Sequence, residues 1–149
     1  MDIYEYLERD HQKVADLFEQ FEAAKGLAAK KEIIQTIAQE LIVHAQSEEK
    51  TFYKVLVTYK ESKKEVFHGE KEHKDIEALI SIVLDTQDAP RWEQNVRDLK
   101  ELVEHHVKDE EGDMFAEARK VISSKEAYAI KEQMHTLKLA LLREHQVTA

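Results

Sequence analysis

Cysteine is absent from the 149 residues of this chain, and glycine and proline are scarce. Without cysteine there are no disulfide bonds, no thiolate metal ligands and no thiol nucleophile. Three glycines and one proline are too few for the many turns of an all-β fold, so helices are expected. No linker or low-complexity tract interrupts the chain, which is long enough to bury a substantial core. We therefore expect one domain over residues 1–149.

An excess of positive charge and long apolar runs are also missing. Lys and Arg number 22 against 31 Asp and Glu, which gives a net charge of −9 at pH 7. This balance disfavours binding to nucleic acid or to anionic lipid. No run approaches the roughly 20 apolar residues of a membrane span, and the opening MDIYEYLERDH lacks the basic and apolar regions of a secretion signal. The sequence predicts a cytoplasmic protein without nucleic-acid or membrane partners.

Apolar residues recur with helical period in four long segments, followed by a shorter fifth segment. The four segments cover about residues 2–24, 29–60, 62–84 and 91–122. Asp88 and Pro90 suit the start of the fourth helix, and Ser123 with Glu126 forms a capping box for the fifth. Long helices joined by short loops predict an all-α fold, an up-down-up-down four-helix bundle over about residues 2–122. An additional C-terminal helix is predicted over about residues 124–144.

A histidine interrupts the apolar face of each long helix. Residues three or four apart share a helix face, and on this spacing His11 lies between Leu7 and Val14. The same spacing places three more histidines on inward faces: His44, His73 and His106. Four imidazoles are therefore predicted to meet near the middle of the bundle.

Two of these helices add a glutamate one turn after the histidine. The second helix reads Ile37, Leu41, His44, Glu48, Phe52, Val55 along one face. The fourth reads Val96, Leu99, Val103, His106, Glu110, Met114. Glu48 and Glu110 are therefore predicted to point into the core together with the four histidines.

A metal cation would account for carboxylates in an apolar core. Burying an unpaired carboxylate costs several kcal/mol, and no Lys or Arg lies on the inward faces of the four long helices. Imidazole with carboxylate is the donor set of iron, manganese, zinc or copper rather than calcium or magnesium. The alternative is a metal-free polar network in which the six side chains satisfy one another.

The order of these motifs resembles the hemerythrin-like HHE cation-binding domains over about residues 2–122. The motifs are Asp10-His11, His44-x-x-x-Glu48-Glu49, Glu72-His73 and His106-x-x-x-Glu110-Glu111. The resemblance implies a non-haem centre of two iron ions with an oxo or hydroxo bridge, and manganese or zinc as substitutes. It places His11 and His44 on one iron and His73 and His106 on the other. Glu48 and Glu110 would bridge the two.

The acidic residues beside these positions are candidates for supporting the ligands. Metal-binding histidines usually donate their second ring nitrogen to an acceptor. Four carboxylates lie next to the motif residues in the sequence and could accept such a bond: Asp10, Glu49, Glu72 and Glu111. The sequence leaves their partners open.

The chain departs from the oxygen carriers of this family at Gly69. The carriers place a further histidine there, one turn before the position of His73, and they have His-x-x-x-x-Asp where this chain has His106-x-x-x-Glu110. Both irons would then keep open positions, which disfavours reversible oxygen transport. Alternative sources of the missing donor are His68, Glu70 and Glu72.

The leading functional hypothesis is a non-haem di-iron protein that binds, senses or reacts with oxygen, nitric oxide or peroxide. Catalytic reduction of peroxide or nitric oxide is included in this hypothesis, with a redox partner that the sequence does not identify. One alternative is iron storage, iron donation or repair of iron centres. Another is a metal-free helical interaction module.

Overall fold

The computed structural model describes residues 1–148, with side chains through residue 145, and these residues form helices without a strand. Helix α1 spans Ile3–Ala23 and α3 spans Lys63–Asp85. Helix α2 consists of Leu27–Glu48, a π-helical segment Glu49–Tyr53 and a last turn Lys54–Leu56. Helix α4 likewise consists of Ala89–Asp109, a π-helical segment Glu110–Met114 and Phe115–Val121, and α5 spans Ser124–Thr148. No helix among the described residues combines the length and hydrophobicity needed to cross a membrane.

The packing of these helices confirms the all-α bundle with an additional C-terminal helix. Helix α1 packs on α2, and α3 packs on α4. Helix α5 lies across α2 and α1 and extends beyond its predicted end near residue 144. The loops are short. Gly26, with φ of 93°, turns the chain between α1 and α2 in a conformation that side chains rarely adopt.

Two of the helix starts have the caps that the sequence predicts. Asp88 accepts a hydrogen bond from the Arg91 amide at 3.0 Å and begins α4. Ser123 and Glu126 form a reciprocal capping box, in which each side chain accepts from the other residue's amide at 3.1 Å. These bonds satisfy amides that have no partner within the helix. They fix where α4 and α5 begin.

Two apolar clusters occupy the bundle on either side of the inward histidines. The first contains residues from the start of α1, the ends of α2 and α4, and α5, with Phe52, Leu56 and Phe115 among its fully buried members. The second contains residues from the second half of α1 and the facing parts of α2, α3 and α4. Along each of the four long helices, the inward histidine lies between these clusters. The polar layer is therefore closed by apolar packing at both ends.

The π-helical segments change the register of the buried face after each inward glutamate. The extra residue in a π turn rotates the following residues around the helix axis. In α2, Phe52 and Tyr53 are both buried and Leu56 is fully buried, whereas Val55 is only partly buried. The prediction that Val55 continues the inward face is therefore wrong by one residue. In α4, Met114 and Phe115 are both buried for the same reason.

The capping box gives a direct test of how α5 is anchored. Ser123→Ala removes the acceptor for the Glu126 amide, so the free energy of unfolding should fall by about 1 kcal/mol. Ser124→Ala is the matched control, because Ser124 is also exposed but makes neither bond of the box. Urea denaturation followed by circular dichroism measures both. Equal stability of the two variants would contradict the role of the cap.

Candidate metal centre

All six side chains predicted to point inward lie together between the two apolar clusters. Each of these residues is at most 9% exposed, and Glu48 is completely buried. Oxygen Oε1 of Glu48 lies 3.1 Å from His73 Nε2 and 3.7 Å from His44 Nε2. The carboxylate of Glu48 therefore faces histidines from two different helices, α2 and α3.

The second carboxylate, Glu110, faces the other two histidines. Its Oε1 lies 3.3 Å from His11 Nε2, and its Oε2 lies 3.4 Å from His106 Nε2. The imidazoles form two pairs, with ring centroids 5.2 Å apart for His11 and His44, and 4.7 Å apart for His73 and His106. Each carboxylate thus lies between one ring of each pair.

Most of the polar atoms at this centre have no hydrogen-bond partner among the described residues. They are Nε2 of all four histidines, both carboxylate oxygens of Glu48 and Oε1 of Glu110. Leaving one such buried atom unsatisfied costs about 1–3 kcal/mol, and more for a charged group. These atoms face one another, so positive charge placed among them, as a cation or as protons, would satisfy them.

The unsatisfied atoms are close enough to share metal ions. One ligand atom from each of Glu48, His73, His106 and Glu110 lies within 4.8 Å of the others. A second group at the same spacing contains His11, His44 and Glu110. Glu110 belongs to both groups. The nitrogen and oxygen donors fit a transition-metal cation in the manner expected from the sequence.

The outward ring nitrogens are held by four carboxylates, each from another helix. Nδ1 of His44 lies 3.0 Å from Asp10 of α1, and Nδ1 of His73 lies 3.1 Å from Glu49 of α2. The two other bonds join His106 Nδ1 to Glu72 of α3 at 2.8 Å, and His11 Nδ1 to Glu111 of α4 at 2.7 Å. Each of α1, α2 and α3 therefore supplies a carboxylate to the histidine of the following helix, and α4 supplies one to the histidine of α1.

These carboxylates also fix which ring nitrogen faces the centre. An ionised carboxylate only accepts hydrogen bonds, so in the neutral ring Nδ1 carries the hydrogen. Nε2 then presents its lone pair to the interior, as metal ligation requires. The four acidic neighbours proposed from the sequence are thus placed, although their pairing across helices could not be read from it.

The buried acids and imidazoles influence one another's protonation. Burial of Glu48, together with the negative charge of Glu110, raises the pKa of Glu48 well above its usual range. Burial opposes ionisation of Glu110 too, but the nearby His106 and His11 outweigh it and hold the pKa of Glu110 well below its usual range. Burial also works against charging His11 and His106, yet the facing carboxylates raise the pKa of each imidazole to about 9. The cluster therefore attracts positive charge, whether protons or a cation.

Tyr53 is a member of the centre that the sequence did not reveal. Its hydroxyl donates a hydrogen bond to Glu110 Oε2 at 2.6 Å, and its ring stacks on His73 with centroids 5.2 Å apart. Burial, reinforced by the charge of Glu110, raises the pKa of Tyr53 well above its usual value, so the hydroxyl keeps its proton. A regular α-helical spacing predicts that other residues of α2 face inward. Tyr53 faces inward because of the π-helical segment, which the sequence did not reveal.

The same tyrosine explains the glycine at position 69. A Cβ atom on Gly69 would lie 2.5 Å from Tyr53 Oη and 2.8 Å from Met114 Cε. The phenol of Tyr53 therefore occupies the space beside residue 69, where the oxygen carriers resembled by the sequence have a histidine. His68 does not reach the centre and instead contacts Asp109 at 3.1 Å. Glu72 supports His106 by its Oε1 atom.

Lys138 connects helix α5 to the centre. Its Nζ lies 2.5 Å from Asp10 Oδ1, while Asp10 Oδ2 holds His44. Despite burial, His44 and Lys138 keep the pKa of Asp10 below its usual range. The sequence does carry a signal for this lysine, since it continues the buried face formed by Ile130, Met134 and Leu141. The expectation that no buried lysine is available holds for the four long helices but not for α5.

A small cavity lies beside the histidines. Its volume is about 30 Å³, and the four histidines of the centre form part of its wall. Its apolar wall is formed by Val14, Leu41, Ala45, Ile76, Val103 and Val107. A volume of this size accommodates about one water-sized molecule.

The fold and the site define a helical bundle that encloses a cluster of histidines and carboxylates suited to a cation. Residues 2–118 match the model of the Hemerythrin HHE cation binding domain. The chain belongs to this hemerythrin HHE cation-binding family. This agrees with the resemblance carried by the four sequence motifs.

Two known proteins are similar to the chain. The crystal structure of a hemerythrin HHE cation binding domain-containing protein from Mycobacterium kansasii superposes with a TM-score of 0.84 at 22% identity. It covers 95% of this chain and 87% of that one, and at this identity the likeness shows the fold. A protein from Nostoc sp. (strain PCC 7120) named DNA nickase is 30% identical over 128 residues. The match covers 85% of this chain but 36% of that relative.

The contact between Gly69 and Tyr53 can be tested with a pair of glycine variants. Gly69→Ala forces the Tyr53 hydroxyl or Met114 to move, so the free energy of unfolding should fall by about 1–3 kcal/mol. Gly112→Ala is the control, because a Cβ there meets nothing within 4 Å. It should be neutral or stabilise the helix by up to about 1 kcal/mol. Urea denaturation of both variants is the measurement, and a Gly69→Ala protein as stable as Gly112→Ala would contradict this packing.

Proposed function

We propose that this protein binds two iron ions and, through them, binds, senses or reacts with oxygen, nitric oxide or peroxide. The observation that carries the proposal is the buried layer of unpartnered Nε2 and carboxylate atoms beside a small apolar cavity. Imidazole with carboxylate suits iron better than it suits calcium or magnesium. Membership of a cation-binding family supports the same reading.

The pairing of the rings supports a division of the ligands between two ions. His11 and His44 would hold one iron, and His73 and His106 would hold the other. Glu48 and Glu110 would contact both, because each lies between rings from the two pairs. The bonds from Nδ1 to carboxylates hold the rings in orientation before any ion binds.

Two bound irons would supply one-electron chemistry and open coordination positions for a small ligand. The surrounding residues decide what can reach those positions. The cavity of about 30 Å³ admits oxygen, nitric oxide or peroxide but not a larger organic substrate. Its wall of valine, leucine and isoleucine side chains excludes bulk water, so polar interactions inside the site are strengthened.

Tyr53 is the hydrogen-bond donor to Glu110. Its hydroxyl donates to Oε2, so it positions the Glu110 carboxylate rather than adding a third imidazole to one metal. Each ion would then have two histidines and a share of both carboxylates. This balance supports a reaction at either ion and disfavours reversible carriage, for which one ion is closed by an extra ligand.

Contact with DNA, which the name of the Nostoc relative would suggest, is disfavoured for this chain. A net charge of −9 disfavours contact with a phosphate backbone, and the chain spans about a third of that relative's length, since the match covers 36% of it. We propose a cytoplasmic location, because a chain without cysteine fits a reducing compartment.

Metal content is the first test of the proposal. Protein purified without added metal, or loaded with ferrous iron under anaerobic conditions, should contain two irons per chain by elemental analysis. Glu110→Gln should lose iron, because it removes a charge shared by both ligand groups. Asp113→Asn is the control, since Asp113 is exposed in the same π-helical segment. Two irons retained in Glu110→Gln, and equally in His44→Ala, would overturn the ligand assignment.

Reactivity is the second test, with Tyr53 as its probe. The absorption spectrum of the iron-loaded protein should change within a stopped-flow experiment on mixing with at least one of oxygen, nitric oxide or peroxide. In Tyr53→Phe the iron should stay bound, but the spectrum should shift and the reaction should slow by about 10- to 100-fold, because Glu110 loses its donor.

Tyr4→Phe is the matched control for this experiment. The Tyr4 hydroxyl is buried without a hydrogen-bond partner among the described residues, so its loss should leave both spectrum and rate unchanged. A wild-type spectrum that responds to none of the three small molecules would show that the proposed function is wrong. Identical behaviour of the two phenylalanine variants would remove only the positioning role of Tyr53.

A further inference from the structure

A second cluster of histidines and carboxylates lies at the surface, where α3 and α4 run side by side. On α3, His68 and Glu72 are one helical turn apart, and on α4 the same spacing separates His105 and Asp109. Residues four apart share a helix face. Each helix therefore presents one histidine and one carboxylate toward the other, in a pattern that repeats the His-x-x-x-Glu pairs of the buried centre.

One ligand atom from each of His68, Glu72 and Asp109 lies within 4.8 Å of the others, and His105 contacts the same two carboxylates. Nε2 of His68 lies 3.1 Å from Asp109 Oδ2 and 3.3 Å from Glu72 Oε2. Nε2 of His105 lies 3.2 Å and 3.6 Å from the same two oxygens. The His68 and His105 side chains are 51% and 63% exposed, whereas Glu72 is 9% exposed and fixed by its bond to His106. The site is thus open to solvent but anchored on a buried carboxylate.

As imidazolium ions, His68 and His105 would form an exposed ion-pair network with the two carboxylates, which contributes little free energy. A divalent cation among these side chains would instead receive a lone pair from each neutral ring and negative charge from both carboxylates. Ligand atoms of His68, Glu72 and Asp109 already lie within 4.8 Å of one another. The exposed His105 would add a fourth donor by a small side-chain movement, which completes a ligand set suited to a transition metal such as zinc.

We propose that His68, Glu72, His105 and Asp109 form a surface binding site for a divalent transition-metal cation, with zinc as its best-suited occupant. Calcium and magnesium are disfavoured because they prefer oxygen ligands. The proposal does not depend on which metal the buried centre holds.

Glu72 would link this surface site to the buried centre. Its Oε2 faces the surface histidines, and its Oε1 accepts the hydrogen bond from His106 Nδ1 at 2.8 Å. A cation on Oε2 draws negative charge away from Oε1 and weakens that bond, which changes the donor strength of His106. This consequence, unlike the surface site itself, rests on the proposed di-iron function.

Zinc titration of the full chain by isothermal calorimetry tests the site. Wild-type protein should bind one zinc ion per chain more than the double variant His68→Gln, His105→Gln, whether or not zinc also enters the buried centre. Each single variant should bind the surface zinc about tenfold or more weakly, as expected for loss of one ligand. Neither histidine contacts a residue of the buried ligand set, and circular dichroism checks that the variants fold.

His145→Asn is the matched control, since it removes an imidazole from α5 and should keep the full zinc stoichiometry. The proposal is overturned if the double variant binds as much zinc as the wild type. It is also overturned if His145→Asn binds one zinc ion per chain less than the wild type, because zinc would then bind histidines without regard to the proposed site.

Failure of the di-iron function would be recognised separately. Glu110→Gln should lose its buried iron yet keep the surface zinc. In iron-loaded wild-type protein, saturating zinc should shift the iron spectrum, and it should leave the spectrum of the double variant unchanged. A missing shift would remove only the link through Glu72.

Discussion

The structure depends on placing two carboxylates and four imidazoles in the apolar middle of a helical bundle. Burial disfavours charge on these groups, and most of their inward atoms find no partner in the protein. Such an arrangement persists only if the rings are held from outside and if positive charge enters from outside. The two apolar clusters provide the enclosure, and the polar layer between them defines the position of the centre.

The four carboxylates that bind the histidine Nδ1 atoms orient the imidazole rings and also hold the helices together. Each of α1 to α4 supplies one acid to the histidine of a neighbouring helix, so the bonds that orient the imidazole rings also fix the rotation of each helix relative to its neighbours. Lys138 adds α5 to this network by its contact with Asp10. Stability of the bundle and geometry of the centre therefore arise from the same interactions, and a change in either affects the other.

The two π-helical segments adapt the helices to the centre. One begins directly after Glu48 and the other at Glu110, and the extra residue turns a new side chain toward the interior. In α2 that side chain is Tyr53, whose phenol fills the space left by Gly69 and bonds to Glu110. A tyrosine here, in place of an additional imidazole, leaves two histidines on each side of the two inward carboxylates. Under the proposed function, this symmetry would disfavour reversible carriage of oxygen.

The sequence by itself determined the helices, their inward faces and the six residues of the buried layer, because a period of 3.6 residues fixes which side chains share a face. The motif order also predicted the family, to which the chain belongs. Only the tertiary structure decided which acid supports which histidine, that Tyr53 joins the inward face and Leu56 continues it in place of Val55, and that Lys138 reaches Asp10. The spacing of apolar residues describes each helix separately, so it does not reveal how one helix is rotated about its axis relative to its neighbours. A single extra residue in a π-helical turn also changes which of the following residues face the core, and the spacing does not reveal that residue.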